Sequence, residues 1–74
     1  MDDLIQTIAA SLRISPTMLS HNSSMSEIPE WDSLSHMSLI TEIEEKYQIR
    51  FTGDDIASMQ SISEIDKKIK SYKN

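Results

Sequence analysis

Residues 32–36 read D-S-L-S-H and bring a carboxylate, two hydroxyls and an imidazole into one short stretch. Side chains of these types serve nucleophilic catalysis, metal binding, or presentation of a hydroxyl for covalent modification. His36 follows Ser33 by three residues, so the two share one face of a helix. Asp32 and Ser33 are also favoured helix N-caps. On residue type alone, capping is the simplest interpretation of this stretch.

The surrounding sequence favours neither catalysis nor a metal site. No glycine-rich turn accompanies His21 or His36, and a chain of 74 residues has little room for an enclosed cleft. Asp32, His36 and Glu42 are not spaced to converge on one metal ion. We therefore expect His36 to be an exposed residue at a helix start, and we expect no metal site and no enzymatic activity.

The composition indicates one small acidic domain over residues 1–74, with a net charge of −5 and no cysteine. Its charge disfavours nucleic acid and favours partners with basic surfaces. No apolar run approaches the roughly 18 residues of a membrane span, and the first residues lack the pattern of a secretory signal. We expect a cytoplasmic, monomeric protein without membrane contact.

The spacing of apolar residues predicts an all-α fold, a small four-helix bundle with three main helices, one short helix and a long first loop. The expected first, third and last helices cover about 2–12, 53–59 and 61–72, with a short helical turn near 16–19. The second main helix is expected to start at the D-S-L stretch and to include Leu34 to Tyr47. Thr52 with Asp55, and Ser61 with Glu64, have the spacing of capping boxes. Trp31 is expected to plug the space beneath the first loop. The expected buried side of the second main helix consists of Leu34, Met37, Leu39, Ile40, Ile43 and Tyr47.

Three motifs in this order resemble the acyl carrier protein family across the whole chain. D-S-L occupies 32–34 at a helix start, L-x-x-x-I-E-E-x-Y follows at 39–47, and I-x-F-T-x-D-D-I occupies 49–56. The resemblance implies that Ser33 carries 4′-phosphopantetheine, donated from coenzyme A by a phosphopantetheinyl transferase. The thiol of that arm would hold an acyl group as a thioester, and this cysteine-free chain has no thiol of its own.

The same resemblance implies two further groups of residues. Partners would include an acyl-loading ligase or acyltransferase and ketosynthase-type enzymes with basic surfaces. The docking positions carried over are Asp32, Leu34, Met37, Glu44 and Glu45. The positions that would line an acyl pocket between the second and third helices are Ile43, Phe51, Ile56 and Met59.

Some residues depart from the pattern of the family's fatty-acid carriers. Ser35 and Ser38 stand where those carriers usually have acidic residues, and Trp31 with His36 is more similar to specialised carriers of dedicated bacterial pathways. Asp32 stands where peptidyl carriers more often have glycine-histidine or glycine-glycine. Two alternatives remain open: a carrier of amino acids, and a non-covalent helical interaction module that uses the acidic second helix.

Overall fold

The computed structural model describes residues 2–73, with side chains from residue 3 onwards. Its helices are α1 (Asp2–Leu12), α2 (Ser33–Tyr47), α3 (Gly53–Ser58) and α4 (Ile62–Lys73), with a 3-10 turn at Pro16–Met18. The predicted all-α bundle of three main helices, one short helix and a long first loop is confirmed. Within residues 2–73, no helix is both long and apolar enough to cross a membrane.

A single core joins the three main helices to the segments between them. Each main helix contributes apolar side chains at three- and four-residue spacing, which places them on one face. Leu19 and Trp31 from the first loop, with Phe51 and Met59 on either side of α3, complete it. The buried helical residues are Leu4, Ile8, Ala9, Leu12, Leu39, Ile40, Ile43, Ile62, Ile65 and Ile69.

The buried face of α2 differs from the expected one. Leu34 is 82% exposed and Met37 is 52% exposed, so the expectation that they are buried was wrong. His36, expected to be exposed, is only 7% exposed. At about 100° per residue, Ile40 and Ile43 lie within about 40° of His36 around the helix axis, whereas Leu34 lies about 160° away from it. The core face therefore continues backwards from Ile40 to His36.

The long first loop is fixed to the end of α3 and the start of α4. The Met25 N–H donates to the Gln60 carbonyl at 2.8 Å, and the Ile62 N–H donates to the Ser23 carbonyl at 3.0 Å. Trp31, only 1% exposed, closes the loop against the core, as the sequence predicted. These contacts fix the position of the first loop where it meets the start of α2.

The short helix α3 is held at its N-terminal end by Asp55. Thr52 and Asp55 form the predicted capping box, in which the Asp55 N–H donates to Thr52 Oγ1 at 3.1 Å. The Asp55 carboxylate also accepts a hydrogen bond from the Tyr72 hydroxyl and forms an ion pair with Lys68 at 3.1 Å. Asp55 therefore links α3 to α4.

Acid is expected to weaken the link that Asp55 makes from α3 to α4. The weakening should occur as the pH falls from about 4 to about 2. The Tyr72 hydroxyl and then Lys68 lower the pKa of Asp55 from 3.8 to about 2. Because the folded-state pKa is the lower one, ionised Asp55 stabilises the fold above the unfolded value, and that contribution is lost as pH falls through about 2. Melting temperatures from pH 5 to pH 2 should fall more steeply for the wild type than for Asp55→Asn. The control Asp54→Asn should follow the wild type, and equal slopes for all three proteins would contradict this role of Asp55.

Candidate functional site

Ser33 is the first residue of α2, and the residue before it caps the helix. Asp32 has extended backbone geometry, and its Oδ1 accepts a hydrogen bond from the Ser35 N–H at 2.9 Å. Ser33 is exposed, and its hydroxyl makes no hydrogen bond to a protein group within the described part of the chain. Asp32 therefore caps the helix, and Ser33 exposes a free hydroxyl.

The backbone at this helix end favours an anion. The Ser35 backbone N–H lowers the pKa of Asp32 below its ordinary value of 3.8, so its carboxylate is ionised at neutral pH. The N-terminus of a helix carries partial positive charge and free N–H donors, which favour carboxylates and phosphates. A phosphodiester on the exposed Ser33 hydroxyl would therefore fit the position that this serine occupies.

A shallow groove with a volume of about 310 Å³ lies beside Ser33. Four apolar side chains from the first loop, α2 and α3 contribute most of its wall, and polar groups flank them. With Ser33, the residues that line it are Met25, His36, Met37, Ile56, Ala57 and Gln60. Ser33 and residues of α3 both border this groove, so an extended group attached to Ser33 has an adjacent surface against which to lie.

Sequence reasoning missed the role of His36 in this groove. The Trp31 Nε1–H donates to His36 Nδ1 at 3.0 Å, and His36 Nε2 lies 2.9 Å from the Ile56 carbonyl oxygen. One available signal was the spacing of Ile40 and Ile43, which places position 36 on the buried face. A second signal was Trp31, because a buried indole N–H requires an acceptor.

The four residues assigned to an acyl pocket do not line one shared groove. Ile56 is half-buried and lines the groove beside Ser33. Ile43 and Phe51 are buried in the core, and buried Met59 borders a different groove with Lys67. Of these four residues, the structure therefore places only Ile56 in the groove beside the Ser33 hydroxyl.

The residues assigned to docking also differ from one another in their exposure. Leu34, Met37 and Glu45 are exposed on the side of α2 away from the core. Glu44 is half-buried, and its Oε2 accepts a hydrogen bond from the Phe51 N–H at 2.7 Å. Glu44 thus fixes the connection between α2 and α3 as well as contributing negative charge.

The fold and the site together form a small helical domain with an exposed hydroxyl at a helix start. The chain matches the family model described as phosphopantetheine attachment site over residues 2–65, and it belongs to that family. Domains of this family are carriers rather than enzymes, and they are sites of covalent 4′-phosphopantetheine attachment. No curated protein matches the chain.

Proposed function

We propose that this chain is an acyl carrier protein whose Ser33 hydroxyl is the attachment point for 4′-phosphopantetheine. The observation that carries the proposal is the exposed, unbonded hydroxyl at the first position of α2, within the residues that match the family. Asp32 supports it by capping the helix, which leaves Ser33 accessible to a transferase. When attached, the arm supplies the thiol that this cysteine-free chain lacks.

We propose acyl groups as the cargo and the groove beside Ser33 as the first surface that they meet. Asp32 before the serine supports an acyl rather than a peptidyl carrier by the family pattern. Ile56 borders the groove, whereas Ile43, Phe51 and Met59 are buried. Shelter of an acyl chain among those three residues would require α2 and α3 to separate.

The outer side of α2 is the proposed docking surface. Exposed Leu34 and Met37 offer apolar contact, while exposed Asp32 and Glu45, together with half-buried Glu44, contribute negative charge that complements basic partners. The proposed partners are a phosphopantetheinyl transferase, an acyl-loading ligase or acyltransferase, and ketosynthase-type enzymes. We place the protein in the cytoplasm as a monomer.

Intact-mass spectrometry of the wild-type protein tests the proposed function. Incubation with coenzyme A and a broad-specificity phosphopantetheinyl transferase should add the mass of one phosphopantetheine group, and omission of the transferase should add none. Trypsin releases residues 14–46 as one peptide, because no lysine or arginine lies between Arg13 and Lys46. Fragmentation of that peptide should place the added mass on Ser33. An unchanged mass for the folded protein would contradict the proposal.

A further inference from the structure

The short helix α3 has no fully buried residue of its own, so its position depends on contacts with other elements. At its N-terminal end, the Asp55 carboxylate accepts a hydrogen bond from the Tyr72 hydroxyl and pairs with Lys68 at 3.1 Å. The Phe51 ring, just before α3, packs against the Tyr72 ring with the two ring centroids 5.3 Å apart. This end of α3 is therefore fixed to α4.

The middle of α3 and the chain that follows it are fixed to two further elements. His36 of α2 places its Nε2 2.9 Å from the Ile56 carbonyl oxygen, and since a carbonyl only accepts, the imidazole N–H donates. The Met25 N–H in the first loop donates to the Gln60 carbonyl at 2.8 Å. Between these two contacts, the Met59 side chain is buried in the core. Contacts with α2, α4 and the first loop thus hold α3 from its first turn to the residues just after it.

The apolar interior that α3 borders is packed and separate from the groove beside Ser33. Ile43, Phe51 and Met59, to which the resemblance assigns an acyl pocket, are all buried. None of these three residues lines that groove. An acyl chain would reach them only if α3 moved away from the core, and this movement would break the hydrogen bonds and the ion pair that hold it. Breaking such a bond is unfavourable where the freed group stays away from water.

We propose that this interior stays closed to the cargo, so that Ser33 carries short or polar acyl groups rather than long aliphatic chains. The inference rests on the proposed attachment at Ser33 and goes beyond it by naming the class of cargo. Apolar surface that stays in water is unfavourable, so a long chain without shelter would destabilise the loaded carrier and promote association. A short or polar acyl group has little apolar surface to shelter, and a closed carrier leaves it accessible to partner enzymes.

Two acyl forms of the wild-type protein test this inference. A broad-specificity phosphopantetheinyl transferase should load Ser33 from acetyl- or octanoyl-coenzyme A, and the intact mass identifies each product. The methyl signals of Ile43 and Met59 in NMR spectra should have the same chemical shifts in both forms. On hydrophobic-interaction chromatography, the octanoyl form should elute much later than the acetyl form, because its chain is exposed. Core methyl shifts that depend on chain length, or equal elution of the two forms, would overturn the inference. Absence of any mass gain would instead contradict the attachment at Ser33, on which the inference rests.

A double variant tests whether the contacts of α3 keep the interior closed. Tyr72→Phe combined with Lys68→Gln removes the hydroxyl and the ammonium group that bond the Asp55 carboxylate, while the aromatic ring at position 72 and the capping of α3 remain. The octanoyl form of this variant should elute earlier than that of the wild type, and its Ile43 methyl shifts should depend on chain length. Lys67→Gln, at the exposed neighbouring lysine, is the matched control and should behave as the wild type. A folded double variant that stays closed would overturn the role assigned to these contacts, and the wild-type comparison decides the class of cargo even if the double variant does not fold.

Discussion

Replacing Ser33 by alanine is expected to abolish phosphopantetheine attachment completely. The reaction needs a hydroxyl oxygen at this position, and alanine has none. Ser35→Ala is the matched control, because it removes a nearby hydroxyl from the same helical turn while leaving Ser33 intact. Both variants should be incubated with coenzyme A and transferase and then weighed by mass spectrometry. A mass gain on Ser33→Ala, or its loss in Ser35→Ala alone, would place the attachment on another residue.

The loss of attachment in Ser33→Ala is not expected to arise from unfolding. The N-cap interaction is made by Asp32, and the exposed Ser33 hydroxyl bonds no protein group in the described residues. Alanine is also the residue most favourable to helix formation. The free energy of unfolding should therefore stay within about 0.5 kcal/mol of the wild-type value. A melting curve recorded beside the mass spectrum separates the chemical effect from a structural one.

The fold was predictable because local signals and apolar spacing agree. Ile62, Ile65 and Ile69 recur at helical intervals, and all three are buried on α4. The capping box of Thr52 and Asp55 marks the start of α3. When capping, spacing and burial indicate the same elements, a sequence specifies its helices without help from distant contacts.

The faces of α2 were harder to predict because residue type and position disagree there. Leu34 and Met37 are apolar but lie on the solvent side, where we propose that partners dock. His36 is polar but lies in the core, and its burial depends on partners from two other segments. Hydrophobic spacing describes one helix at a time, so it does not show which distant groups will satisfy a buried imidazole.

The candidate site was predictable only in part. The D-S-L motif indicated Ser33, but the division of roles between a capping Asp32 and an unbonded Ser33 required backbone geometry. The groove depends on Met25 from the first loop and Ile56 from α3 lying near one another in space. That proximity arises from the hydrogen bonds that fix the loop to the chain around Gln60, and residue spacing along the sequence does not reveal it.

Trp31→Ala is expected to cause the largest loss of stability among the variants considered for this fold. The indole is 1% exposed and closes the first loop against the core. Truncating a buried aromatic side chain to alanine costs about 3–5 kcal/mol, through lost burial and the cavity left behind. Small domains have a total stability of only about 5–15 kcal/mol. The variant should therefore unfold at far lower temperature and denaturant concentration than the wild type, as measured by far-UV circular dichroism.

Two further variants separate the causes of the stability loss expected for Trp31→Ala. Trp31→Phe retains an aromatic ring but removes the N–H that bonds His36, so its stability should lie between those of the wild type and Trp31→Ala. Met18→Ala removes a half-exposed apolar side chain from the same loop, and its cost should stay within about 0.5 kcal/mol. If Trp31→Ala unfolded at the wild-type midpoint, the loop would not depend on this side chain for its position. If Trp31→Phe were as unstable as Trp31→Ala, the hydrogen bond to His36, rather than the volume of the ring, would be the main contribution of Trp31.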